Sequence, residues 1–178
     1  MAEAGTQPRL STVRLTMRLP ELADASRIAA LANDFDVARM TTRMPHPYTV
    51  FEAETFIARV RATGSSEQRT FVIEVDGEGP AGLIGFFTEA GERLPEVGYW
   101  LGRPYWGRGY ATEAAAAALA WAEASWGARG VRSGHFVDND ASGRVLCKAG
   151  FLYTGVVEQR FSRARGEVTP TKMMVWLA

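Results

Sequence analysis

Residues 13–19 alternate apolar and polar or charged side chains, the period of a half-buried strand. Pro20 ends it and Glu21 opens a helix whose apolar stripe is Leu22, Ala25, Ile28, Ala29, Leu31 and Ala32. The pattern then breaks over 33–48, an irregular connection in which Pro45 and Pro47 flank His46. Thr49 and Glu52 form a capping box. The helix that follows carries Phe51, Ala53, Ile57 and Val60, and Gly64, Ser65 and Ser66 stop it. A meander comes next, with strands at 70–75, 81–88 and 95–101 and turn residues at 76–80 and 89–92. Tyr110–Trp126 reads as an alanine-rich helix and 131–137 as a strand. Asp138 or Asn139 caps a short helix that runs to Lys148, and Gly150 closes it. The last strands are 151–157 and 168–177. The order β-α-α-β-β-β-α-β-α-β-β predicts one α/β domain over 13–178 with a single mixed sheet, behind a loose N-terminus at 1–12.

Charge narrows the partners. Twenty basic residues balance twenty acidic ones over 178 residues, which gives no support for broad nucleic-acid or membrane binding. One Cys and two His do not build a usual zinc site, so no metal is expected, and a single Cys makes no internal disulfide. A reducing cytoplasm suits this composition. The start of the chain has no signal-peptide stretch, and no apolar run is long enough for a membrane span.

The chemistry concentrates between Glu96 and Thr112, where a strand meets a glycine-punctuated turn and a helix start. Gly107 and Gly109 allow a tight bend and close approach of an anion to backbone N–H groups. The dipole of the following helix adds partial positive charge there, and Arg103 and Arg108 could reach phosphate oxygens. Two familiar nucleotide motifs fail. A dinucleotide fingerprint needs glycine where Thr112 stands, and a P-loop needs Gly-Lys-Ser/Thr where the chain has Gly107-Arg108-Gly109. From the residues alone, an ordinary glycine turn before an alanine helix remains the competing reading.

Three blocks change that balance: Glu96-Val97-Gly98-Tyr99-Trp100-Leu101, then Trp106-Gly107-Arg108-Gly109-Tyr110-Ala111-Thr112-Glu113-Ala114, then Asn139-Asp140-Ala141-Ser142 with Lys148-Ala149-Gly150-Phe151. In this order and spacing the chain resembles the GNAT superfamily of acyl-CoA-dependent N-acetyltransferases, on the branch that holds ribosomal-protein N-terminal acetyltransferases. The resemblance implies a single-domain GNAT fold, with a centrally splayed mixed sheet flanked by helices. It implies acetyl-CoA as acyl donor, held at its pyrophosphate by N–H groups of Gly107, Arg108, Gly109, Tyr110, Ala111 and Thr112. Gly109 and Ala111 match the family's motif, whereas Trp106 stands where Gln or Arg is usual. Tyr99, Trp100 and Leu101 are implied pantetheine contacts, and one of their N–H groups is a candidate oxyanion donor.

By the same resemblance Glu96 is the first candidate base and Ser142 the candidate for protonating, or only hydrogen-bonding, the departing sulfur. Each has a plain alternative, a strand-end charge and a capping serine. His135 is the second candidate base, against the simpler reading of a structural histidine; alternation leaves its face open. Asn139 could cap its helix and bond the pantetheine amide, and Arg144 could approach a CoA phosphate. Cys147 reads as buried or inert. Segments 33–48 and 158–167, the second taken as a loop, should rim the acceptor entrance. The implied reaction is acetyl transfer to a primary amine. The slight preference is for a protein N-terminal α-amine, ahead of an aminoglycoside or amino acid. A non-catalytic acyl-CoA-binding module is the rival, and a homodimer is a further expectation from the resemblance.

Overall fold

The computed structural model describes residues 8–63 and 68–178, so the helix stop expected at 64–66 lies outside the described residues. Among the described residues are eight strands, β1 (Leu10–Ser11), β2 (Leu15–Arg18), β3 (Gln68–Val75), β4 (Gly79–Phe87), β5 (Glu96–Leu101), β6 (Gly130–Phe136), β7 (Leu152–Ser162) and β8 (Glu167–Leu177). The helices are α1 (Ala25–Ala32), α2 (Phe35–Ala38), α3 (Val50–Ala62), α4 (Tyr110–Trp126) and α5 (Asp140–Lys148). One sheet takes the order β1-β2-β3-β4-β5-β6-β8-β7. Every neighbouring pair is antiparallel except β5 and β6, which are parallel and joined through α4. The predicted mixed α/β sheet is therefore the observed one.

Two apolar layers sandwich the sheet. One packs Leu15, Phe71, Ile73, Ile84, Phe86, Val97, Leu101 and Val131 against the alanines of α4 and Leu146 of α5. The other packs Val72 and Leu83 against α1, α2 and α3 through Ile28, Ala32, Val37, Ala53 and Ile57. Small side chains let α4 lie close to the strands, which brings its N-terminus up to the end of β5. Gly82 marks equally close packing on β4, since a Cβ there would sit 2.1 Å from the Trp100 carbonyl oxygen. Gly82→Ala should therefore destabilise the fold by more than 1 kcal/mol, of the order seen for overpacked sites, about 1–3 kcal/mol, in urea unfolding.

Four expectations need correction. Leu10 and Ser11, placed in the loose terminus, pair with Met17 and Thr16. A turn closed by Thr12 N–H to the Leu15 carbonyl at 2.9 Å leaves Val13 exposed, so β2 starts later than the alternation suggests. The connection 33–48 contains the single-turn helix α2, capped by Asp34 through the Asp36 N–H. The loop expected at 158–167 is largely strand: β7 runs on to Ser162 and β8 begins at Glu167. Its polar sequence misleads because β7 is an edge strand, exposed along most of its length.

Candidate active site

The parallel pair β5 and β6 shares one register position, Glu96 opposite Arg132. There the Arg132 N–H donates to the Pro95 carbonyl at 2.8 Å. One step on, a side chain takes over from the backbone, with Ser133 Oγ donating to the Val97 carbonyl at 2.9 Å. Past that stitch the ladder ends and the strands diverge. Tyr99, Trp100 and Leu101 lie on β5 beyond the split, paired only with Ile84, Leu83 and Gly82 of β4, so their other edge borders the gap. Alternation sends Tyr99 and Leu101 towards the α4 side and Trp100 towards the α1–α3 side.

At the open end of β5 the chain makes a short turn, Arg103–Tyr105, and reaches the glycines. Trp106 is 45% exposed, yet its indole N–H donates to the Leu101 carbonyl at 2.7 Å and ties the turn to the strand end. Gly107 and Gly109 have φ of 73° and 81°, a left-handed backbone open to glycine at low cost. No side chain caps α4, so Tyr110, Ala111 and Thr112 start it with N–H groups that have no partner within the helix. The first-turn acid, Glu113, is drawn aside by Arg14 at 2.7 Å and by the Thr12 hydroxyl. Burial pushes its carboxyl up, but these bonds outweigh burial and hold it below the ordinary value. Arg14 also donates to the Arg108 carbonyl at 3.0 Å and lies over the buried Tyr110 ring, which fixes the loop from behind. The space before Gly107 is open, with no atom within 4 Å of where a Cβ would stand. The result is an uncapped helix start facing solvent beside the splayed gap. Arg108 points to Glu78 at 3.5 Å, and Arg103 turns away towards Asp34 and Asp36.

The third block sits on α5, against the same side of the gap. Asn139 caps the helix through its Oδ1, which accepts the Ser142 N–H at 3.2 Å. Ser142 Oγ lies 2.8 Å from the Tyr99 hydroxyl, so the helix and β5 meet through two hydroxyls. Burial raises the Tyr99 phenol above its ordinary value, opposed by the bond to Ser142. His135 also faces α5 and is only 4% exposed. Its Nδ1 is 2.8 Å from the Phe136 carbonyl and its Nε2 2.9 Å from the Tyr153 hydroxyl, so both ring nitrogens are occupied. Gly143 makes room for this pair, since a Cβ there would stand 2.7 Å from His135 Nε2 and 2.8 Å from the Tyr153 oxygen. Gly143→Ala is expected to part His135 from Tyr153 and shift α5, lowering the unfolding free energy by about 1–3 kcal/mol in a urea titration. Neither Tyr153 nor Gly143 carries a sequence signal of this role, because the contact joins β6, α5 and β7. Arg144 is exposed and lines a hollow of about 380 Å³ with Asp140, Gly143, Lys148 and Tyr153. Cys147 lies there too, exposed where burial was one expectation.

Glu96 faces the other side of the sheet. It is 8% exposed, and both its oxygens are bonded by the Arg160 guanidinium, one contact measuring 2.9 Å. Arg160 also reaches Glu158 at 2.8 Å, and Glu158 meets Arg132 at 2.7 Å. The Glu96 bond comes first among the causes that raise the Arg160 guanidinium above its ordinary value. A second set of ion pairs crosses the mouth of the gap. Arg103 binds Asp34 at 2.8 Å and also Asp36; Arg39 joins Asp36 at 3.0 Å to Asp138 at 3.5 Å; Arg165 holds Asp138 at 2.9 Å. These residues strap α2 to the end of β5 on one side and to the entry of α5 and the β7–β8 turn on the other.

Arg103 holds the Asp34 carboxyl below its ordinary value, and Arg165 does the same for Asp138. A depressed carboxyl contributes its stabilisation above the unfolded value, about 3.9, and loses it as pH falls through the lower folded value. Amide exchange across 34–39, corrected for the intrinsic rate, should therefore speed up as pH is lowered from about 5 to about 3. Among the described residues, no group of three or more His, Cys, Asp or Glu is placed to hold a metal ion.

Residues 14–152 match the family described as acetyltransferase (GNAT) domain. The uncharacterized N-acetyltransferase YoaA of Bacillus subtilis (strain 168) is 28% identical over 155 residues, covering 85% of this chain and 87% of YoaA. The fold is similar to that of spermidine N-acetyltransferase from Vibrio cholerae in complex with CoA and spermine. That match has a TM-score of 0.77 and 21% identity, over 93% of this chain and 96% of the other. It is also similar to the ribosomal-protein-S5-alanine acetyltransferase from Vibrio fischeri, with a TM-score of 0.80 and 18% identity over 96% of each chain.

Proposed function

The chain belongs to the GNAT acetyltransferase family, and from that premise we propose that it moves an acetyl group from acetyl-CoA to a primary amine, with a protein N-terminal α-amine as the favoured acceptor. The observation that carries the reading is the uncapped start of α4 beside the gap between β5 and β6. Backbone N–H groups of residues 107–112 bind the pyrophosphate, as a helix N-terminus does for anions. The pantetheine arm then lies along Tyr99, Trp100 and Leu101, within reach of Asn139, and Arg144 approaches a CoA phosphate. One β5 N–H polarises the thioester carbonyl and supports the oxyanion.

The amine approaches from the α1–α3 side, where Glu96 lies. An α-amino group, with a reference pKa of about 7.7–8.0, needs less help to lose its proton than lysine at about 10.4. Glu96 receives that proton through a water, and to do so gives up one of its bonds to Arg160. The nitrogen attacks the carbonyl carbon, the C–S bond breaks with its electron pair on sulfur, and the Ser142 hydroxyl supports the leaving sulfur. His135, buried with both ring nitrogens engaged, is the weaker candidate base.

Similarity to a ribosomal-protein acetyltransferase supports the protein acceptor. Similarity to a spermidine acetyltransferase favours a second reading, a small-molecule amine. The test is acetyl-CoA turnover with peptides that start in Ala or Ser, the same peptides N-blocked with an internal lysine, spermidine, an aminoglycoside and free amino acids. Turnover confined to free-N-terminal peptides supports the favoured reading, and turnover confined to small amines replaces it with the second. CoA binding without turnover on any acceptor would identify a non-catalytic acyl-CoA-binding module.

A further inference from the structure

We propose that the Tyr99 hydroxyl is a positioning residue that turns the Ser142 O–H towards the departing sulfur. The inference rests on the reading of Ser142 as the group that supports that sulfur. Tyr99 Oη lies 2.8 Å from Ser142 Oγ and 3.2 Å from the Ser142 carbonyl oxygen. A phenol has one proton, a serine hydroxyl has one, and the carbonyl only accepts. Two arrangements follow. In the first, Tyr99 donates to the carbonyl and the serine O–H points at the phenol oxygen, so its proton is unavailable. In the second, Tyr99 donates to Ser142 Oγ, and the serine O–H is free to point into the gap.

A ligand sulfur decides between them. Negative charge on sulfur makes it the strongest acceptor nearby, and hydrogen bonds to charged groups outweigh neutral ones. When the C–S bond of the tetrahedral intermediate breaks, the electron pair stays on sulfur. The serine O–H then bonds the thiolate, and the tyrosine proton swings from the carbonyl to Oγ. No proton changes owner in this step; the thiolate takes one from solvent after release. Tyr99 suits the part because its ring packs against the α4-side core and burial keeps its phenol protonated. Asn139 fixes the serine from the other side by accepting its backbone N–H. The imidazole on this face, His135, is held by Tyr153 and does not compete for the serine.

The test uses CoA itself and needs no acceptor. The ultraviolet absorbance of the thiolate, followed against pH, gives the pH at which bound CoA ionises. In the wild type that midpoint should fall below that of free CoA by about one unit, a tenfold bias towards thiolate. Ser142→Ala should abolish the shift, and Tyr99→Phe should remove most of it, each read with the protein saturated by CoA. Phe keeps the ring and its packing; Ser142→Thr, which keeps both hydroxyls, should preserve the shift in a protein that retains Tyr99. If Ser142→Ala loses the shift and Tyr99→Phe keeps it, the role given to Tyr99 is wrong and that of Ser142 stands. If the wild type shows no shift, or Ser142→Ala leaves it intact, the reading of Ser142 fails and the inference goes with it.

Discussion

Gly109→Val is expected to weaken CoA binding by at least about a hundredfold, measured by titration calorimetry, while the protein still folds. Two effects act together. Gly109 has φ of 81°, where a β-branched residue is strained, so the turn into α4 must rearrange at a cost of about 1–3 kcal/mol. The rearrangement also turns aside N–H groups that would otherwise point at phosphate. Hydrogen bonds to charged groups are worth about 1.5–3 kcal/mol each, so losing two removes about two decades or more of affinity. The strain lowers the melting temperature by a few degrees, which a thermal scan separates from the loss of binding. Unchanged affinity in a folded Gly109→Val protein would mean that this corner holds no pyrophosphate.

The other large effect should come from the ion pair beneath the gap. Arg160→Met is expected to destabilise the fold by about 3–5 kcal/mol, because it leaves Glu96 buried without its guanidinium. Adding Glu96→Gln to that variant should recover most of the loss, since a neutral amide tolerates the site better than an unpaired carboxylate. Urea unfolding of the two single variants and the double variant measures this coupling. Glu96→Gln alone should cost less stability but lower kcat by about a hundredfold, the usual contribution of a general base. Strict additivity of the stability changes would show that the pair is not coupled. An unchanged kcat in Glu96→Gln would remove Glu96 from the chemistry and leave it a structural role.

The elements that position the site were readable because each has a local physical signature. Helix α4 has its predicted ends, set by Gly109 before it and Gly127 after it, both left-handed. Asn139 caps α5 as its residue type suggests. Strands β3 to β5 announce themselves through apolar runs, β-branched in β3. What stayed hidden lies in contacts between distant positions. The motif singles out Glu96, but its partner Arg160 is 64 residues away on what reads as a charged loop. That segment is strand all the same, because β7 pairs on one side only and can keep polar residues along its free edge. Helix α2 is one turn long, too short for a 3.6-residue period to show. The Tyr99–Ser142 bridge needs the sheet and α5 to be docked before it exists. The family motif marked both residues and said nothing of their contact.

The stitch made by Ser133 has one more consequence. Beyond it β5 and β6 share no ladder, so the facing edge of each strand keeps peptide groups that its neighbour does not pair. On the proposed reading the donor lies on one face and the amine comes from the other, so the two need share no doorway and either product can depart without waiting for its counterpart.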